Sequence, residues 1–231
     1  MCGRYVVKEG RRVWVQQSSQ RIHPDPFRFL DREVAFDGTY NAAPTQQLPV
    51  YRIDRQGEPR LELLRWGLIP SWAPDPKIGA KMINARAETV AEKPSFRSAF
   101  RRRRCLVPMN GFYEWAVTSA GKVPHFIRLL NAELFAAAGL YEWWNAPDGS
   151  EIRSYTIITF EPNELMRNTH DRMPAIMPRE HYDAWLNPSN EDIEGLQRLL
   201  QPYPADEMAV VPVSTRVNSV RNDGPDLIDP V

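Results

Sequence analysis

The stretch Cys105–Leu130, CLVPMNGFYEWAVTSAGKVPHFIRLL, decides the fold class. It holds three short runs rich in apolar and aromatic residues, Cys105–Pro108, Phe112–Thr118 and His125–Leu130, which read as strands. Ser119-Ala120-Gly121-Lys122 between the last two reads as a hairpin turn. Working outward, similar runs recur at Gly3–Val7, Pro49–Ile53, Leu61–Leu68, Leu134–Trp143, Tyr155–Phe160, Ala175–Met177 and Ala209–Val213. Helical pieces are fewer and shorter. Glu161–Thr169 carries Pro162, which a first helical turn tolerates. Pro178–Leu186 and Glu191–Leu200 show apolar residues at spacings of three and four. Glu88–Phe100 is helix-like but interrupted by Pro94, and Gln16–Gly38 reads as loop and short helix. Many short strands with peripheral short helices predict an α+β fold: one domain over residues 1–231, on a curved or barrel-like, mainly antiparallel sheet.

Composition narrows the class further. The 231 residues contain 21 prolines, about twice average usage, so long helices, coiled coils and helical bundles are excluded. No apolar run reaches the roughly 18 residues of a membrane span. The start, MCGRYVVKEGRR, has no apolar core of a secretory signal, so a soluble cytoplasmic protein is expected. Two cysteines and four histidines show no metal-ligand spacing, and no glycine-rich phosphate loop is found. Basic and acidic residues balance at 29 each, but unevenly along the chain. Residues 180–231 carry ten acids and three bases, which leaves the remainder basic. The bases are 24 Arg and 5 Lys, and Arg holds phosphate oxygens bidentately. An arginine-biased surface explains the same numbers, and Arg101–Arg104 reads as a solvated edge.

Four places stand out chemically. Cys2 follows a start methionine that aminopeptidases remove before small residues. The mature chain would then begin with a 1,2-aminothiol. Its α-amine titrates near 8 and is partly nucleophilic at neutral pH. Such a group attacks an aldehyde to give an imine, onto which the thiol closes as a five-membered thiazolidine. While Met1 remains, that nitrogen is an amide and the chemistry is blocked. Asn84 and Arg86 lie two apart, on one face if extended. Glu114 is the one carboxylate in Gly111–Trp115; facing inward it would have a raised pKa and serve in proton transfer, and facing outward it would simply be solvated. His170 falls between a helical and a strand-like run and is the side chain suited to proton transfer near neutrality, unless it is structural.

Together these segments resemble a known family. MCGRY at the start, YNAAPTQ at 40–46, RWGLIPSWA at 65–73, KMINARAET at 81–89, FRRRRCLVPMNGFYEW at 100–115, HDRMPAIM at 170–177 and VSTRVNSVRNDGPDLI at 213–228 are similar to the SRAP family of abasic-site processing proteins, first named SOS-response-associated peptidases. The resemblance lapses between Val6 and Phe36. It implies a covalent crosslink to abasic sites in single-stranded DNA through Cys2, with Asn84, Glu114 and His170 as the other catalytic residues. It implies no metal or organic cofactor. Arg4, Arg86 and Arg172 become candidate phosphate contacts. Trp66, Trp72 and Trp115 become candidate base-stacking residues, each equally readable as core. The expected partner is single-stranded DNA with abasic sites. A monomer is expected, cytoplasmic and nucleoid-associated when bound. Two other functions stay open. One is a cysteine peptidase or N-terminal-nucleophile hydrolase. The other is a non-enzymatic single-strand binder, which would not need Cys2, Glu114 or His170.

Overall fold

Alternation along the strands sorts side chains into two apolar clusters. Leu48, Val50, Leu64, Trp66, Cys105, Val107, Tyr141, Tyr155 and Ile157 fall into one. Their neighbours in sequence Tyr51, Leu106, Ala136, Ala138, Leu140 and Ile158 fall into the other. Strands buried on both faces wrap an interior and are themselves covered from outside. The computed structural model describes residues 2–8, 36–119 and 121–231. Most of the Gln16–Gly38 reading therefore lies outside the described residues.

The strands are β1 (Tyr5–Val7), β2 (Thr39–Ala42), β3 (Gln47–Ile53), β4 (Pro59–Trp66), β5 (Asn84–Arg86), β6 (Arg104–Met109), β7 (Gly111–Thr118), β8 (Gly121–Leu129), β9 (Phe135–Asn145), β10 (Glu151–Phe160), β11 (Met173–Pro174), β12 (Ile176–Met177) and β13 (Met208–Pro212). Short helices are α1 (Arg97–Arg102), α2 (Tyr182–Leu186) and α3 (Ile193–Arg198). Antiparallel pairing links β4 to β3, β3 to β6, β6 to β9 and β9 to β10. A parallel pairing of β10 with β4 closes the ring, so the expected barrel-like sheet is a closed five-stranded barrel. A second, antiparallel sheet runs β13-β8-β7-β1-β2. Its inward residues Tyr5, Phe112 and Ile127 join the cluster inside the barrel. Among the described residues, no helix is long and apolar enough to cross a membrane.

Two junctions set the site. Asn110 links the barrel strand β6 to β7 of the second sheet. Its N–H donates to the Val6 carbonyl, its side-chain amide donates to the Glu133 carbonyl, and its Oδ1 accepts from the Lys8 N–H. The second junction follows β4. Gly67 adopts φ +119°, and a Cβ there would lie 2.5 Å from the Gly79 carbonyl oxygen. Only glycine permits that approach, which packs the turn on a 3-10 segment, Pro76–Lys81. β5 then pairs with β10 at Ile157–Thr159, just beyond where β4 paired at Ser154 and Tyr155.

Two helix expectations and one of exposure need correction. Glu161–Thr169 forms only a 3-10 turn at Met166–Asn168. Asn163 side-chain bonds to the Met166 N–H and the Tyr203 carbonyl compete there with helical pairing. Glu88–Phe100 is turns until α1 begins at Arg97, beyond Pro94. Arg104, read as solvated edge, is 2% exposed.

Candidate active site

Three strands and one loop bring the expected catalytic residues together. Cys2 precedes β1 and is fully buried. Its carbonyl accepts a 2.8 Å hydrogen bond from Asn84 Nδ2 at the start of β5. Asn84 Oδ1 is buried and has no hydrogen-bond partner among the described residues. Beside them Tyr5 and Tyr155 share a 2.7 Å hydroxyl hydrogen bond. Glu114 lies on β7, near enough to Cys2 for its charge to act on the thiol. Burial and then that charge push the Cys2 thiol well above its usual range, so it stays protonated at neutral pH.

Glu114 is 2% exposed, so of its two sequence readings the inward one is correct. Burial foremost pushes its carboxyl up to about 7, and the charge of Asp171 adds to the rise. His170 sits in the loop before β11, with Nε2 3.8 Å from Glu114 Oε2. Burial foremost, then the positive charge of the amino terminus, lowers its pKa, while Asp171 opposes the drop. A carboxyl raised to about 7 beside an imidazole lowered below its usual value forms a pair able to exchange protons near neutrality. They open on a depression of about 530 Å³, walled also by Trp115, Val117, Lys122 and Asn218.

The expected phosphate and base contacts separate. Arg4 is half-buried, and its Nη1 donates to Asn41 Oδ1 at 2.9 Å and to the Val217 carbonyl at 3.0 Å. Arg172 is held in a two-pronged pair with Glu88 at 2.8 and 2.9 Å, and also donates to the Thr159 carbonyl at 2.6 Å. Arg86 is exposed. Trp66 is fully buried, stacks on Tyr155 and donates its indole N–H to the Ile83 carbonyl, so it is core and offers no face to a base. Trp72 is 57% exposed on the loop after β4. Trp115 walls the depression with its indole N–H fixed to Asn218 Oδ1 at 2.7 Å. Asn218, Glu88, Asn41 and Asp171 went unsingled in the sequence. The last two similar segments and KMINARAET contain three of them, but only the folded chain pairs them with their arginine, tryptophan and histidine partners.

Comparison with known proteins shows which family the chain falls in. The SOS response associated peptidase (SRAP) family matches residues 1–220. The chain is 51% identical over 198 residues to the abasic site processing protein YoqW of Bacillus subtilis, covering 85% of this chain and 88% of that one. It is 33% identical to the abasic site processing protein HMCES of Gallus gallus, covering 100% of this chain and 78% of that one. A crystal structure of a Bacteroides thetaiotaomicron protein superposes with a TM-score of 0.83 at 27% identity, over the full length of both chains. The chain belongs to the SRAP family.

Proposed function

We propose that this protein processes abasic sites in single-stranded DNA by forming a thiazolidine through Cys2 once Met1 is removed. The observation that carries the reading is the Asn84–Cys2 hydrogen bond beside buried Glu114, with His170 3.8 Å further on. Removal of Met1 frees the Cys2 nitrogen as an amine, and Asn84 Oδ1 is the acceptor left over to orient it. An abasic deoxyribose is mostly a closed hemiacetal, so ring opening comes first. His170 protonates the ring oxygen as its bond to C1 breaks, the C1 hydroxyl loses its proton to the Glu114 carboxylate or to water, and C1 becomes an aldehyde. The amine then attacks C1, because a thiol held protonated is the poorer nucleophile. Glu114 supplies the proton with which the carbinolamine hydroxyl leaves as water. The thiol finally adds across the imine: a carbon–sulfur bond forms and the thiol proton passes to nitrogen. One water is lost overall. Trp115, rigidly held at the rim, offers a stacking platform, and Arg86 an exposed phosphate contact.

The test is incubation of mature protein with abasic single-stranded DNA, followed by denaturing electrophoresis. A heat-stable shifted band is expected. Cys2→Ala keeps an amine, so it should give a borohydride-trappable imine and no durable band. An N-terminal extension should abolish both. Crosslinking by the extended protein at the mature rate would overturn the aminothiol mechanism. Peptide cleavage without a band would favour a hydrolase instead.

A further inference from the structure

His170 Nδ1 has two neighbours that compete for it. The Arg172 backbone N–H donates to it at 3.0 Å, and Asp171 Oδ1 lies 2.8 Å from it. One nitrogen cannot accept from an amide and donate to a carboxylate in the same protonation state. The two contacts therefore belong to two states of the ring. Bonded to the amide, Nδ1 holds a lone pair, and the neutral ring carries its proton on Nε2. Bonded to the carboxylate, Nδ1 carries a proton, and Nε2 is either a bare lone pair or the second N–H of an imidazolium. Nε2 is the atom that faces Glu114. Only the carboxylate-bonded states give Nε2 an acidic proton to donate and a lone pair to receive one back. The amide-bonded state gives neither.

We propose that Asp171 is a positioning residue that draws His170 out of the amide-bonded tautomer and stabilises the imidazolium that acts on the sugar. The same logic governs a carboxylate behind a catalytic histidine in serine hydrolases. The proposal rests on the ring-opening step above. In that step the imidazolium Nε2–H passes to the ring oxygen as its bond to C1 breaks. The C1 hydroxyl loses its proton to the Glu114 carboxylate or to water, and the C1=O bond forms. The Nδ1 proton stays with Asp171 throughout. The charged groups around the ring are Glu114 from β7, Lys122 from β8, Asp171 and Arg172 from its own loop, and the amino terminus of the chain. Glu88, beside β5, holds the Arg172 cation in its two-pronged pair. Asp171 is 85% exposed, so its removal should leave the fold intact and its effect should be moderate.

The test is ¹⁵N NMR of the imidazole in mature protein, paired with crosslinking rates against pH. Above the ring's titration, wild type should show the Nδ1–H tautomer. Asp171→Ala should shift it to Nε2–H and move the titration to lower pH, and Asp171→Glu should restore both. Near pH 7, Asp171→Ala should slow crosslinking of a natural abasic site about tenfold. It should slow an acyclic aldehyde analogue, which needs no ring opening, less than about twofold. A wild-type Nε2–H tautomer that Asp171→Ala leaves unchanged would overturn the proposal. Equal slowing of both DNA substrates would overturn the ring-opening role. If the tautomer responds as expected but wild type makes no adduct, the proposed function fails and the catalytic role with it, while the assignment of Asp171 to the tautomer stands.

Discussion

Arg104 and Glu114 are both 2–3% exposed in their side chains or whole residues, and the protein holds them in opposite ways. Arg104 donates to five carbonyls, those of Phe100, Arg101, Trp185, Asn187 and Asn190, and its guanidinium lies over the Trp185 ring. Several of these carbonyls end α1 and α2, where a cation also meets the negative pole of each helix. Burial lowers the Arg104 pKa to about 10, yet the group stays charged at neutral pH. Glu114 instead faces an imidazole beyond hydrogen-bond distance, and burial brings its titration to about 7. A buried charge surrounded by matched partners is fixed in one state and serves structure. A buried charge whose surroundings leave its protonation balanced is available for chemistry.

Arg104→Ala is the strongest way to break this contrast. It strips five carbonyls of their donor at once and should cost about 4 kcal/mol in urea unfolding. Arg104→Lys should recover only part, because an ammonium cannot fork among carbonyls on two helices. Crosslinking by the protein that remains folded should change less than about twofold. A large loss of activity in fully folded Arg104→Lys would mean the two clusters are coupled.

Glu114→Gln should act in the opposite direction on stability. The free carboxyl ionises around 4.5 and the folded one around 7, so the folded state prefers the protonated form. Wild type therefore holds this contribution below pH 4.5 and loses it as pH rises toward 7. The glutamine variant has no such loss. Above pH 7.5 it should be the more stable protein, by on the order of 2 kcal/mol, and the gap should close by pH 4. His170, whose pKa is lowered, runs the other way in both proteins, losing its contribution as pH falls. Activity should drop about 10²-fold on natural and ring-opened substrates alike. A variant no more stable at pH 8 would show that Glu114 is compensated like Arg104.

The same distinction explains how much of the molecule was legible in the sequence. Ten strand-like runs announced themselves because alternation and β-branched composition are local properties. Three strands did not: Thr39–Ala42, Asn84–Arg86 and Met173–Pro174 are short, and the second is extended because β10 offers an edge where β4 leaves it. The lost helix at Glu161–Thr169 follows from Asn163 bonding that the local pattern does not encode. Barrel closure through a parallel pairing is likewise a property of distant segments. In the site, Cys2, Asn84, Glu114 and His170, singled out by residue chemistry and the family resemblance, are the residues the fold gathers. The arginines were not, because a sequence does not show whether a guanidinium already has a carboxylate. Arg4 and Arg172 are bound to Asn41 and Glu88 by chain segments 37 and 84 residues away.

The smallest expected effect tests that last point. Arg86 ends β5 and Arg172 immediately precedes β11, two strands that both pair with β10, yet only Arg86 is exposed, while the Arg172 side chain is 13% exposed and paired with Glu88. If single-stranded DNA crosses this face, Arg86→Ala should remove one phosphate contact. Binding should weaken similarly across base sequences, since phosphate contacts carry no base information. The slope of log affinity against log salt should flatten by about 0.7, the share of one contact on single-stranded DNA. Arg172→Ala should leave that slope within about 0.2 of wild type, because its charge is already neutralised by Glu88, and should instead show as a lower melting temperature. Measuring both slopes by fluorescence anisotropy across a salt series, on protein verified as folded, compares the two arginines under identical conditions. A flattened slope for Arg172→Ala with none for Arg86→Ala would reverse the assignment, and would mean that DNA competes Glu88 away from its partner.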